Sequence, residues 1–184
     1  MPSFGSDRGD VLYLVVCAAP PARESNGALG ILQDEGWDVC VVATPAALAW
    51  IDMSGLHSAT RHPVRFEFRT PDEPEFVPRG DAVLVAPATF NTINKCAAGV
   101  SDSLALGLVN EALGTPSVPL ALVPWVNASL SGHPAYSPSL ARLRDSGAHL
   151  VTPTDNNVKA FDVACAAASR WLASTVAGVV QPER

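Results

Sequence analysis

The sequence predicts one α/β domain in which helices cover both faces of a doubly wound parallel sheet. Continuous apolar runs of strand length recur along the chain, beginning with Val11–Val16. Such runs are typical of parallel strands that are buried on both sides. Segments with helical spacing of apolar residues separate these runs, so strands and helices alternate. The length of 184 residues also falls within the usual size of a single domain.

The first part of the chain establishes a β-α-β order. After the strand at Val11–Val16, an amphipathic helix is expected at residues 24–35. Asp38–Ala43 predicts the second strand, and Pro45 begins a short helix because proline is compatible with a first helical position. The connection is long enough for the two strands to be parallel neighbours.

The remaining elements continue the same order after one interruption. Residues 52–80 are rich in proline and are expected to form an irregular excursion, with a half-exposed strand at residues 64–68. An alanine-rich packing helix is expected at residues 155–178, and residues 1–9 are expected to be disordered. Three further buried strands are predicted at residues 82–86, 119–123 and 149–151. The whole pattern indicates a Rossmann-like or flavodoxin-like sheet in a single domain spanning residues 1–184.

The composition disfavours several classes of partner. Twelve Lys and Arg residues against eighteen Asp and Glu residues give a formal charge of -6, so binding to nucleic acid is not expected. Only 16% of the residues are charged and 48% are hydrophobic, which favours self-association. Neither an apolar run of ~20 residues nor a signal-peptide core is present, so a cytoplasmic protein without membrane contact is expected.

The four cysteines do not form a metal-binding or redox pattern. Cys17, Cys40, Cys96 and Cys165 are far apart and include no CxxC pair or flanking histidine. A zinc site needs closely spaced ligands, so no metal is expected. Buried structural thiols are the simpler interpretation.

Small and polar residues come directly after three of the predicted strands. They stand at residues 17–20, at Thr44 and at residues 87–92. The carboxyl ends of parallel strands meet at one edge of the sheet, where small residues admit a ligand and helix starts offer N–H donors. The GxGxxG, GxxxxGK[ST] and GxSxG motifs are absent, which disfavours NAD, ATP and α/β-hydrolase sites. The remaining pattern resembles a flavin mononucleotide (FMN) site.

Two blocks of sequence carry a resemblance to a known family. Pro87-Ala88-Thr89-Phe90-Asn91-Thr92 resembles the PASANT motif of the homo-oligomeric flavin-containing cysteine decarboxylases, and residues 93–104 continue at the same spacing. Residues 124–134 resemble the PxMNxxMW stretch of the family and its subsequent His-Pro. The resemblance covers roughly residues 11–152.

The resemblance implies a function, a cofactor and an assembly. FMN would lie at a subunit contact of a homotrimer, or of a dodecamer built from trimers, and Asn91 and Asn127 would hold the substrate carboxylate. The flavin would oxidise a cysteine to a thioaldehyde, which loses carbon dioxide and gives an enethiol. The expected FMN contacts are Ala18, Ala19, Thr44, Pro87, Ala88, Thr89, Asn91, Ser101, Asp102 and Val126.

The sequence also departs from the family pattern. Decarboxylating members usually carry a histidine shortly before the strand that leads into PASANT, but residues 71–76 contain none. His62 is the nearest candidate for this catalytic role, and Asp72, Glu73 or Glu75 could replace it as a base. The late substrate-clamp segment of the family has no counterpart after Pro153.

The departures leave several functions open. The missing clamp favours the C-terminal cysteine of a peptide as substrate, with phosphopantothenoylcysteine as the alternative. The missing histidine permits a non-catalytic FMN-binding partner subunit. A flavin-modifying prenyltransferase is a third interpretation, which the two family-like blocks disfavour.

Overall fold

The computed structural model describes residues 9–70, 72 and 78–179. Its centre is a five-stranded parallel sheet in the order β2-β1-β3-β4-β5. The strands are β1 (Val11–Val16), β2 (Asp38–Ala43), β3 (Ala82–Ala88), β4 (Leu120–Pro124) and β5 (His149–Leu150). The predicted doubly wound α/β fold is confirmed.

Helices occupy the connections between the strands. They are α1 (Ser25–Asp34), α2 (Met53–Thr60), α3 (Phe90–Ala97), α4 (Leu104–Leu113), α5 (Ala128–Ser131), α6 (Tyr136–Asp145) and α7 (Val158–Val179). Short 3₁₀ helices at Pro20–Glu24 and Pro45–Ala49 come after β1 and β2, each with proline in its first turn. In the described part of the chain, no helix combines the length and apolarity needed to cross a bilayer.

The sheet has a separate apolar core on each face because successive side chains of a strand point to opposite sides. Leu12, Leu14 and Val16 of β1 pack with residues of α1 and α7 on one face. Val11 and Val15 pack with residues of α3, α4 and α6 on the other. All six residues of β1 are buried, which explains why its sequence is continuously apolar rather than alternating.

The segment expected to be irregular contains a helix. Residues 52–80 include α2, whose first turn is capped by the Asp52 carboxylate accepting the Gly55 N–H at 3.1 Å. The half-exposed strand expected at residues 64–68 is reduced to an isolated bridge between Arg65 and Val42. Residues 1–8 and 73–77 lie outside the described residues, and so does most of the start expected to be disordered.

The order of the strands positions the site. The chain moves from β1 outward to β2, then crosses back to place β3 on the other side of β1. In open α/β sheets, ligands bind outside the carboxyl ends of the strands at such a reversal. The ends of β1 and β3 are therefore where a ligand cavity is expected.

Candidate functional site

A cavity of ≈ 760 Å³ opens at the carboxyl ends of the strands. Its walls come from the segments after β1, β2, β3, β4 and β5, together with parts of α3 and α4. This volume is within the range of about 300–1,000 Å³ that is typical of cofactor and ligand sites. The predicted convergence of strand ends on a ligand cavity agrees with this geometry.

Most of the site residues expected from the sequence line this cavity. The exceptions are Pro87, Ala88, Ser101 and His62. The residues that the structure brings together are Ala18, Ala19, Thr44, Thr89, Asn91, Asp102, Val126 and Asn127.

His62 lies at the other end of the sheet. Its Nε2 atom is 2.7 Å from the Asp38 carboxylate, at the amino end of β2, whereas Thr44 stands just after the carboxyl end of the same strand. Six residues of strand separate the two ends by roughly 20 Å. The expected catalytic role of His62 does not fit this position. Among the alternative bases, Asp72 is exposed and does not line the cavity, and Glu73 and Glu75 lie outside the described residues.

Pro87, Ala88 and Ser101 support the site without lining it. Pro87 and Ala88 are buried at the end of β3, where the Ala88 carbonyl accepts the Trp125 N–H at 2.8 Å. This contact fixes the segment after β4 beside the segment after β3. The Ser101 hydroxyl accepts a hydrogen bond from the Asn110 side chain at 2.9 Å. None of these three residues is among those that line the cavity, so their expected FMN contacts stay predictions.

Three helices begin at the cavity, and a side chain caps each of them. Ser103 Oγ accepts the Leu106 N–H at the start of α4, at 3.4 Å. Thr89 Oγ1 accepts the Thr92 N–H at the start of α3, at 3.4 Å. Asn127 Oδ1 accepts the Leu130 N–H at the start of α5, at 2.9 Å. Thr, Ser, Asp and Asn are preferred at this position because their side-chain oxygens satisfy an otherwise free N–H donor.

The capping contact determines which end of the Asn127 carboxamide serves a ligand. Its oxygen is used by α5, so its Nδ2 group is the donor that remains. No partner for this Nδ2 group, or for the side chain of Asn91, is found among the described residues, and both side chains are exposed. The cavity therefore offers two neutral N–H donors.

Aromatic side chains form part of the cavity wall. Phe90 meets the His133 ring edge-on at 5.3 Å and stacks on Tyr136 at 6.2 Å between ring centroids. Trp125 packs perpendicular to Phe161, with the centroids 5.8 Å apart. Because Phe90 and Trp125 are each held by a neighbouring ring, they can support a planar ligand.

The charged groups on the described part of the wall neutralise each other. Lys95 Nζ lies 2.6 Å from the Asp102 carboxylate, and both residues line the cavity. Binding of an anion there would depend on backbone and side-chain N–H groups rather than on a free cation. Asp102 thus reaches the cavity as expected, but as one half of an ion pair.

Sequence reasoning missed several residues of the wall. Phe90 and Lys95 lie in and just after the PASANT-like motif but were not expected as contacts. Asn156 comes after β5, whose two residues form too short an apolar run to mark the next segment as part of the site. Asn156 could have been predicted as a wall residue from its position just after a predicted strand.

Comparison with known proteins agrees with the fold. The sequence profile of the family described as Flavoprotein matches residues 13–181, so the chain belongs to this family of α/β flavoproteins. The family resemblance seen in the sequence is confirmed. Membership supports a flavin as the cofactor.

Individual relatives match smaller parts of the chain. A cysteine/cysteine sulfinic acid decarboxylase from an unknown prokaryotic organism is 33% identical over 104 residues, which are 53% of this chain and 28% of that protein. A probable phosphopantothenoylcysteine decarboxylase from Streptococcus mutans is 27% identical over 70% of this chain and 74% of its own. The matches span only 20–32% of four of the curated relatives.

A solved structure supports the same fold. The FMN-dependent cysteine decarboxylase SpaF superimposes with a TM-score of 0.70, covering 89% of this chain and 97% of that chain at 20% identity. At this identity the likeness concerns the fold.

The chemistry of the cavity fits a flavin. The aromatic groups can pack against a flat ring system, and Ala18 and Ala19 leave room for close backbone approach after β1. The start of α3 would supply N–H donors for the oxygen acceptors of such a cofactor. Thr44 adds a hydroxyl from the end of β2.

Proposed function

We propose that this protein is an FMN-dependent decarboxylase that converts the C-terminal cysteine of a peptide into an enethiol. The observation that carries the proposal is the placement of Asn91 and Asn127 on one flavin-sized cavity, each with a carboxamide donor that no described residue engages. Relatives named as decarboxylases of cysteine and of phosphopantothenoylcysteine support the reaction class.

The two asparagines hold the substrate carboxylate in the proposed reaction. Neutral N–H groups bind a carboxylate without adding a full positive charge. The carboxylate is therefore not held so tightly that it cannot leave as carbon dioxide. When bound, FMN would supply the redox chemistry, by taking up the two electrons and two hydrogens that the cysteine side chain loses. The protein positions the carboxylate and excludes water with Phe90 and Trp125.

The charges on the wall favour an unphosphorylated substrate. Lys95 is held by Asp102, so it does not act as a free partner for a substrate phosphate. The segment after β5 contributes Asn156 to the wall, and the late substrate-clamp segment of the family has no counterpart there. Phosphopantothenoylcysteine is the alternative substrate, supported by the relatives that bear this name.

Cofactor binding and reaction are tested separately. Purified protein should bind FMN, seen as quenching of flavin fluorescence, and should then remove carbon dioxide and two hydrogens from cysteine-ended peptides, seen as a mass loss. A matched peptide ending in serine should remain unchanged. If carbon dioxide is lost from phosphopantothenoylcysteine but not from the peptides, the alternative substrate is the correct one. If the protein does not bind FMN, the proposal that FMN is the cofactor is wrong.

A non-catalytic FMN-binding partner subunit is a second candidate. It is favoured by one observation, namely that no histidine lines the cavity in the described part of the chain. In this case the protein would bind FMN, release no carbon dioxide alone, and copurify with a second flavoprotein chain.

The proposed assembly is a homotrimer, or a dodecamer built from four trimers, with FMN at a subunit contact. The open mouth of the cavity and the low fraction of charged residues, 16%, support it. A neighbouring chain would then complete the wall.

A further inference from the structure

Two short 3₁₀ helices form the side of the cavity that lies next to β1 and β2. Pro20–Glu24 comes after β1 and contributes Pro20 to the wall, and Pro45–Ala49 comes after β2 and contributes Pro45. Because β1 and β2 are parallel neighbours, the two 3₁₀ helices start side by side. The shape of the cavity on this side therefore depends on how the two helices are held relative to each other.

Each of these 3₁₀ helices is a stiff unit. Proline in the first turn fixes a backbone dihedral angle, and local hydrogen bonds close the turns. The Ala22 N–H donates to the Ala19 carbonyl at 2.8 Å, and the Trp50 N–H donates to the Ala47 carbonyl at 2.8 Å. A displacement at the end of either helix is therefore transmitted to its first residue, which lines the cavity.

A cation–π contact joins the far ends of the two 3₁₀ helices. The Arg23 guanidinium lies over the Trp50 ring, with its central carbon 5.1 Å from the ring centroid. Arg23 is in the last turn of the first helix, and Trp50 directly follows the second. The Trp50 ring is half-buried against the apolar core on the α1 and α7 face of the sheet, so it offers the exposed arginine a fixed surface. Neither side chain is among the described residues that line the cavity.

We propose that Arg23 and Trp50 clasp the two 3₁₀ helices together and thereby pre-organise this side of the cavity for FMN. The inference rests on the proposed function, which supplies the ligand. Both are positioning residues, because they act through Pro20 and Pro45 rather than by touching the ligand. A wall that is already fixed loses less conformational freedom when a ligand binds, so the clasp raises the affinity.

Matched variants test the clasp through FMN affinity, measured by quenching of flavin fluorescence. Arg23→Gln removes the cation and should weaken FMN binding about two- to fivefold, the effect of one exposed cation–π contact. Arg23→Lys keeps a cation that can lie over the ring, so it should lose less affinity than Arg23→Gln. Arg144→Gln is the control, because it removes the same charge from an exposed position on α6. It should leave FMN affinity unchanged.

A double variant tests whether the two side chains act together. Trp50→Leu should weaken FMN binding as much as Arg23→Gln, and the two changes together should do little more than either alone. Independent, multiplicative losses would contradict the clasp. Because Arg23 is exposed, its variants should fold and keep the inference testable even if Trp50→Leu does not fold.

Riboflavin separates the clasp from a direct attraction between Arg23 and the phosphate of FMN. Riboflavin has the same ring system but no phosphate, so Arg23→Gln should weaken its binding by the same factor as that of FMN. A loss confined to FMN would show that the arginine acts on the phosphate, and would overturn the inference.

Amide hydrogen exchange in the FMN-free protein reports on the clasp itself. Arg23→Gln should speed exchange of the Trp50 N–H, which belongs to the other side of the clasp, whereas Arg144→Gln should not. Unchanged exchange there, or equal FMN affinities for Arg23→Gln and Arg144→Gln, would overturn the inference and leave the proposed function standing. Failure of the wild-type protein to bind FMN would overturn both.

Discussion

Single side chains at the cavity serve the fold with one atom and the ligand with another. Asn127 caps α5 through Oδ1 and keeps Nδ2 for a ligand. Thr89 caps α3 through Oγ1 and lines the same cavity. Alanine at either position would remove both contacts, so the two roles are separated only by substitutions that keep the capping oxygen.

Asn127→Asp separates the two roles. Aspartate retains an oxygen for the Leu130 N–H but replaces the donor with a negative charge that repels a substrate carboxylate. The turnover number kcat should fall at least about a hundredfold, as expected for loss of one well-placed donor. The melting temperature should remain within a few degrees of the wild type. Asn127→Ser, which also caps, should show the loss of kcat without the added charge, and an unchanged kcat in both variants would refute the role.

Asp162 should make stability depend on pH. Its Oδ1 is buried and has no hydrogen-bond partner among the described residues. Burial, and then the charge of Glu24, raise the pKa of the Asp162 carboxyl above its unfolded value. Ionisation therefore destabilises the folded state at neutral pH, and this loss disappears as the pH falls below the unfolded pKa. Asp162→Asn should raise the melting temperature at pH 7, and the gain should shrink towards pH 4.

An exposed acid provides the control for this measurement. Glu111→Gln on α4 removes one negative charge from an exposed position. It should leave the difference in melting temperature between pH 7 and pH 4 close to that of the wild type. A gain in Asp162→Asn that is constant over this range would contradict the pH argument.

At the level of elements, α7 is the main cover of one face of the sheet. It packs against β3, β4 and α1, and its residues Phe161 and Leu172 are fully buried. A polar contact fixes its register, because Trp37 Nε1 donates to the buried Ser169 hydroxyl at 2.9 Å. A buried donor that loses its partner destabilises a protein by about 1–3 kcal/mol.

Ser169→Ala should therefore destabilise the protein by about 1–3 kcal/mol, because it leaves the Trp37 N–H unpaired. Urea unfolding monitored by tryptophan fluorescence measures the change. Ser174→Ala is the matched control on the exposed side of the same helix and should change the stability by less than about 0.5 kcal/mol. Equal effects of the two substitutions would contradict the importance of the Trp37 contact.

Elements with a strong apolar pattern were predictable from the sequence, and others were not. The bounds of β1 and β2 agree with the structure because both are short runs of buried residues. The helix α2 was missed because Met53–Thr60 is mostly small and polar and contains Gly55. Its available signal was Asp52, a good capping residue.

The site was predictable where motifs lie directly after strands. Thr44, Asn91 and Asn127 line the cavity because the ends of parallel strands share one edge of the sheet. His62 could not be excluded from the sequence, since its position depends on how the chain returns from α2 beside β2. Sequence distance alone does not show which end of a strand a residue contacts.

At the level of the whole molecule, the cavity couples cofactor binding to assembly if a neighbouring chain completes it. FMN should then bind tightly only at protein concentrations where the oligomer is present, since a ligand that binds the assembled form stabilises it. Sedimentation and FMN titration over the same dilution series should show the two transitions together. Constant FMN affinity across dissociation to monomers would refute a shared site.

The position of α7 after β5 in the chain affects synthesis on the ribosome. Leu12 and Leu14 emerge before all the other strands, but their cover includes Phe161 and Leu172, which emerge only after β5. A nascent chain stalled before Val158 would therefore display an apolar sheet surface to chaperones, and a chain truncated after residue 157 should be cleaved rapidly by added protease. The opposite surface, covered by α3, α4 and α6, can close while translation is still under way.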